Sequence, residues 1–241
     1  MKIDADFVIS AAAARDFPQD DLPEVALVGR SNVGKSSLIN ALVRRRLART
    51  SAAPGKTRLA NIYRVAREGG APLYLVDLPG YGYARGGTDS ARAFDELTRA
   101  YFGHRACGHA EAAAMRSRGE ASASVRAGGG APAPVKNVVG LLLVDSRHPG
   151  LESDLQAWAW LAGVVDGAAI VATKIDKLAR GERIRALREL ESVFEHSVLP
   201  VSAVTGEGLE QLWTLIERLN SNKPPKKARR LQTRAPSPRR K

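Results

Sequence analysis

Gly29-Arg30-Ser31-Asn32-Val33-Gly34-Lys35-Ser36 decides the fold of this chain. A glycine-rich turn closed by lysine and serine aims backbone N–H groups at phosphate oxygens. The lysine reaches the outer phosphates and the serine hydroxyl is placed to ligate Mg²⁺. Such an octad carries weight only between a strand and a helix, and the flanks supply both. Pro23-Glu-Val-Ala-Leu-Val28 reads as a short buried strand, and residues 36–47 read as a helix with Leu38, Ile39, Leu42 and Val43 on one side. Bound phosphates then sit at a helix N-terminus, where unpaired N–H groups and the dipole favour anions.

Three further marks follow in order. Asp77-Leu78-Pro79-Gly80 comes directly after the apolar run 73–76; its acid can hold a water on Mg²⁺, and its glycine can approach a γ-phosphate by its N–H. Thr173-Lys174-Ile175-Asp176 follows the apolar run 168–172. A carboxylate at Asp176 can accept both the N1–H and the N2–H₂ of guanine while the Lys174 stem covers the base. Adenine offers no such donor pair. Val201-Ser202-Ala203 follows Ser197-Val-Leu-Pro200 and offers a backbone N–H to guanine O6. Each acid alone would read as an ordinary strand-end turn residue; all four marks in sequence specify a GTP/GDP site.

The chain has 241 residues, 44% hydrophobic and 26% charged, with a net charge of +12, an ordinary soluble composition apart from the charge. No apolar run approaches the roughly 20 residues needed to cross a bilayer, and the acidic start does not read as a signal peptide. The single cysteine, Cys107, fits a reducing cytoplasm. Nine Lys/Arg and no acid lie between residues 223 and 241, which leaves +3 for the rest of the chain. We expect that tail to be disordered in isolation, serving either as a phosphate-tracking arm for RNA or as a solubilising end.

Alternating apolar runs and amphipathic segments predict an α/β domain: a mostly parallel six-stranded sheet, helices on both faces, and one antiparallel edge strand. The antiparallel pair is residues 61–67 and 73–76 around the turn Glu68-Gly69-Gly70-Ala71. Leu151, Leu155, Trp158 and Ala162 predict one helix face, with Trp158 in the core and Trp160 to the side. The expected organisation is an N-terminal extension (1–22) packing on a GTPase domain (23–222), a flexible insertion (103–134), and the basic tail (223–241). Within the insertion His104, Cys107 and His109 have suggestive spacings, but lack the partners a metal site needs.

These motifs resemble one family, the EngB (YihA/YsxC) GTPases. The resemblance is carried by the octad continuing through Ser37, by Pro54-Gly55-Lys56-Thr57, by Asp77-Leu-Pro-Gly-Tyr-Gly-Tyr-Ala84, by Thr173-Lys-Ile-Asp-Lys-Leu178, and by Asp145-Ser-Arg-His-Pro149 and Glu207-Gly-Leu-Glu-Gln-Leu-Trp213. It covers about residues 7–219 apart from the insertion. It implies a Ras-like G domain, a cytoplasmic and monomeric Mg²⁺-dependent GTPase, and a role in large ribosomal subunit assembly with rRNA as partner, historically linked to cell division and septation. An rRNA-binding module stabilised by nucleotide, with incidental turnover, is the alternative.

The resemblance also implies a nucleotide-contacting set of residues 29–37, 55–57, 77–80, 173–176 and 201–203. Lys35, Thr57 and Gly80 are then catalytic, and Ser36 and Thr57 ligate the metal. Ala53 stands where relatives usually carry threonine, which makes Thr57 the switch I candidate. Asn32 resembles the asparagine that supports a potassium ion in related GTPases. Tyr81 occupies the place of the water-orienting glutamine of Ras-like enzymes, so slow intrinsic hydrolysis is expected.

Overall fold

The computed structural model describes residues 2–20, 22–49, 59–81, 97–98, 101–103 and 135–221. Its strands are β1 (Ile3–Ala11), β2 (Glu24–Gly29), β3 (Ala60–Arg67), β4 (Leu73–Asp77), β5 (Val135–Asp145), β6 (Val165–Thr173) and β7 (Val198–Pro200). Its helices are α1 (Lys35–Val43), α2 (Glu152–Val164), α3 (Arg180–Phe194) and α4 (Leu209–Ser221). Residues 97–98 and 101–103 are also helical.

The strands form one seven-stranded sheet in the order β1-β3-β4-β2-β5-β6-β7. Strands β4, β2, β5, β6 and β7 pair in parallel, and every residue of β2 is buried, as a central strand covered on both faces must be. The predicted α/β architecture is thus the one observed, with one correction. The sheet has seven strands rather than six, because Ile3–Ala11 pairs antiparallel with β3, and the antiparallel β3 therefore lies one place in from the edge. Only Ala5 and Ala11 of β1 are fully buried. Two alanines among aspartates give no apolar face for a periodicity argument to detect. A register shift between Phe7 and Ile9 breaks the alternation further, and Phe7 packs edge-on against Tyr63 at 5.8 Å.

Each face of the sheet has its own core. Leu38, Ile39 and Leu42 of α1 and Leu212, Trp213 and Ile216 of α4 cover one face. Leu161 of α2, Leu190 and Phe194 of α3, and Tyr101 and Phe102 cover the other, together with Phe17. The predicted face of α2 is observed in part. Leu155 and Trp158 are half-buried and pack against the core as expected, but so does Trp160; Asp154 and Leu161 are the fully buried residues, and Ala162 is exposed. Gly140 in β5 fixes this rotation: a Cβ there would lie 2.7 Å from the Leu161 side chain, so the missing side chain admits Leu161. Trp160 then meets Phe102 edge-on at 5.2 Å, and Trp158 meets His196 at 5.0 Å.

The helix expected to reach Leu47 ends at Val43, because Arg44 takes the left-handed conformation at φ 55°. Asn40 secures the turn beyond it. Its side-chain oxygen accepts from the Leu47 and Ala48 N–H groups at 2.8 and 2.7 Å, and its amide donates to the Ala48 carbonyl at 2.9 Å.

Candidate nucleotide-binding site

The C-terminal ends of β2, β4, β6 and the residues after β7 converge on one edge of the domain, where open α/β sheets bind ligands. Between β2 and α1 the loop turns tightly at Asn32 (φ 63°) and Gly34 (φ 110°). Its first glycine has no room for a side chain: a Cβ on Gly29 would lie 2.8 Å from the Leu143 carbonyl oxygen and from Val33. Val33 is buried in the core, whereas Ser37 is exposed on α1.

Lys35 is buried, and its Nζ donates to the carbonyl oxygens of Gly29 (3.0 Å) and Arg30 (3.4 Å) across the loop. Beside it the Ser36 hydroxyl donates to Asp77 Oδ2 at 2.7 Å. Asp77 is 2% exposed, and its Oδ1 is buried with no hydrogen-bond partner. Burial pushes the Asp77 carboxyl up, opposed by the Lys35 charge and the Ser36 bond. Burial likewise pushes Lys35 down, and the Asp77 charge opposes it. Leaving a buried acceptor oxygen unpaired costs about 1–3 kcal/mol.

Behind Asp77, Leu78 and Pro79 are buried, so their side chains serve the core. Gly80 lies against the phosphate loop: the Ser31 hydroxyl contacts its carbonyl at 3.5 Å, and a Cβ on Gly80 would sit 2.6 Å from the Ser31 nitrogen. Ser31 N–H donates to the Tyr81 carbonyl at 3.1 Å, bridging the two loops. The Tyr81 hydroxyl donates to Asp154 on α2 at 2.9 Å, which ties the phenol to the scaffold.

At the base end, Lys174 adopts the left-handed conformation at φ 61°, with Ile175 buried beneath it. Asp176 accepts the Ser202 hydroxyl at 2.7 Å, and that bond is the main cause holding its carboxyl below the usual range. Ser202 Oγ also receives the N–H groups of Val204 and Thr205 at 3.2 and 3.1 Å, which shapes the loop after β7. Val201 is buried and Ala203 half-buried. The Thr173 hydroxyl lies 2.7 Å from the Val33 carbonyl and 3.1 Å from that of Val144, bracing the phosphate loop on the sheet.

The structure therefore gathers 29–37, 77–80, 173–176 and 201–203 at one edge. Gly55, Lys56 and Thr57 fall outside the described residues, as do Tyr83, residues 104–134 of the insertion and the basic tail, whereas Gly103 is helical. The bracing by Thr173 and the tie between Tyr81 and Asp154 were not legible in the sequence, because each depends on partners tens of residues away. No helix among the described residues is long and apolar enough to cross a membrane.

Residues 24–114 match the family described as 50S ribosome-binding GTPase. A probable GTP-binding protein EngB from Heliobacterium modesticaldum is 39% identical over 223 residues, covering 90% of this chain and 93% of that protein. Its counterpart from Alkaliphilus metalliredigens is 36% identical over 218 residues, covering 88% and 89%. The chain belongs to the EngB family of GTP-binding proteins. As an EngB-family protein with this domain it is a GTPase. Solved structures share the fold. Era in complex with MgGDPNP and nucleotides 1506-1542 of 16S ribosomal RNA superposes with TM-score 0.58 at 20% identity, covering 82% of this chain and 56% of Era. A probable GTP-binding protein engB superposes with TM-score 0.52 at 20% identity, covering 83% and 100%.

Proposed function

We propose that this EngB-family chain is a Mg²⁺-dependent GTP switch that engages the large ribosomal subunit during its assembly. The observation that carries the metal-dependent part is the bond from the half-buried Ser36 to the buried Asp77, with Asp77 Oδ1 left unpaired beside Lys35. These donors fit Mg²⁺: a hydroxyl to ligate it directly and a carboxylate to hold its water, with Thr57 as the second hydroxyl. When bound, the ion neutralises phosphate charge.

The chain's own residues supply the rest. Lys35 is free to leave the Gly29 and Arg30 carbonyls for phosphate oxygens, and the loop N–H groups from Asn32 to Ser37 cradle the anion. Gly80 offers its N–H to the γ-phosphate, while Asp176 reads the guanine edge and the loop 201–203 meets O6. Asn32, exposed at its left-handed turn, is the proposed neighbour of a potassium ion. Tyr81, bound to Asp154, does not orient water, so intrinsic hydrolysis is slow and rises on the partner.

Supporting the ribosomal partner is the matched family description. On this reading the protein is cytoplasmic and monomeric, and its link to cell division and septation passes through subunit supply. Sedimentation with purified large subunits tests it: the GDP form and the form with a non-hydrolysable GTP analogue should differ in affinity by about tenfold or more, a coupling of about 1.4 kcal/mol. Equal, tight binding in both states would favour the rRNA-binding module with incidental turnover. Binding in neither state would overturn the ribosomal partner.

A further inference from the structure

Lys174 is held at both ends of its reach. Its ammonium donates to the Asn32 carbonyl of the phosphate loop and, at 2.9 Å, to Asp145 Oδ2 at the end of β5. Its stem crosses the phosphate loop, with Cε 3.9 Å from where a Cβ on Gly34 would stand. Asp145 is in turn fixed by Arg147, whose Nε and Nη2 donate to its two carboxylate oxygens at 2.9 and 2.7 Å, and whose N–H donates to Oδ1 at 3.1 Å. The Asp145 side chain is 11% exposed, so the carboxylate is shielded although its partners Lys174 and Arg147 reach solvent, and its hydrogen bonds are charge-assisted.

We propose that Asp145 is a positioning residue for guanine nucleotide binding, acting through Lys174. This rests on the assignment of Lys174 and Asp176 to the base site. A free lysine stem samples many rotamers, and ordering it on binding costs free energy that lowers affinity. Asp145 removes that cost in advance by anchoring the ammonium while the methylenes lie flat over the phosphate loop, where a base can rest on them. Because Arg147 fixes Asp145 through both carboxylate oxygens, the ammonium has one place to go. The base-recognition turn, the phosphate loop and the end of β5 are thereby joined through a single ammonium group.

Contact with the base is the same in ground and transition states, so losing it raises KM and leaves kcat unchanged. The test uses the full chain with a fluorescent GDP analogue and steady-state GTP hydrolysis. Asp145→Asn keeps the shape and removes the charge; it should weaken GDP about tenfold and raise the KM for GTP by a similar factor at unchanged kcat. In a Lys174→Met background the same substitution should have almost no further effect, since the group it acts through is gone. Additive losses in the double variant would overturn the proposal, and so would a fall in kcat at constant KM. If Lys174→Met alone leaves GDP affinity intact, anchoring the ammonium adds nothing to affinity and the proposal is overturned; the base-site assignment fails separately if Asp176→Asn leaves GDP affinity intact. Should Asp145→Asn not fold, the exposed Arg147→Ala carries the same cycle. It should weaken GDP by about threefold, and that loss should vanish with Lys174→Met; a loss that persists there would overturn the proposal.

Discussion

The Asp176 carboxylate, the proposed reader of the base, has its geometry set by another loop, since the Ser202 hydroxyl takes one oxygen at 2.7 Å. Replacing Asp176 by Asn presents an NH₂ donor where guanine also donates. Competition binding should show GTP affinity falling about a hundredfold or more, with xanthosine triphosphate gaining because its 2-oxygen can accept. Unchanged GTP affinity would sink the assignment. The Ser202 bond also fixes the pH dependence. A carboxyl held below its usual range stays ionised as pH falls from 8 to about 5, so Asp176 itself adds no pH dependence to the preference for guanine over adenine nucleotide there. That preference should fade as pH falls through the lowered value.

Helix α1 shows how an element can carry the right face and the wrong length. Its apolar positions are as the helical spacing predicts, with Leu38, Ile39, Leu42 and Val43 buried. Its end is set by Asn40, which offers the 47–48 backbone an alternative to further helix. Asn40→Ala should leave the Leu47 and Ala48 N–H groups without that acceptor and cost about 1–2 kcal/mol, read from the urea midpoint at unchanged slope. An unaltered midpoint would mean that solvent replaces the cap. In α2, by contrast, the orientation was legible only in part: Leu155 and Trp158 face the core as the spacing predicts, but the fully buried position was not visible. The space left by Gly140 on the neighbouring strand chose Leu161 as the buried position.

For the molecule as a whole, the net charge is concentrated in residues 223–241. The described domain ends at Ser221, and the nine cations from 223 to 241 follow it. If that segment tracks RNA phosphates, its removal should flatten the dependence of ribosome affinity on salt by about 0.7–0.9 in log–log slope for each phosphate it had neutralised. Nucleotide affinity should stay unchanged. An identical slope after truncation would assign recognition to the folded domain. The sequence by itself determined the glycine-rich loop between strand and helix, the carboxylate proposed to read the base and the alternation of strands and helices, because these are local: turn glycines, short spacings and apolar periods act within a few residues. Only the tertiary structure decided that the N-terminal residues close the sheet as a seventh strand, that Tyr81 is tied to Asp154, and that Asp145 anchors Lys174. Those features pair groups from distant parts of the chain, and burial strengthens a hydrogen bond only once packing has brought both partners together.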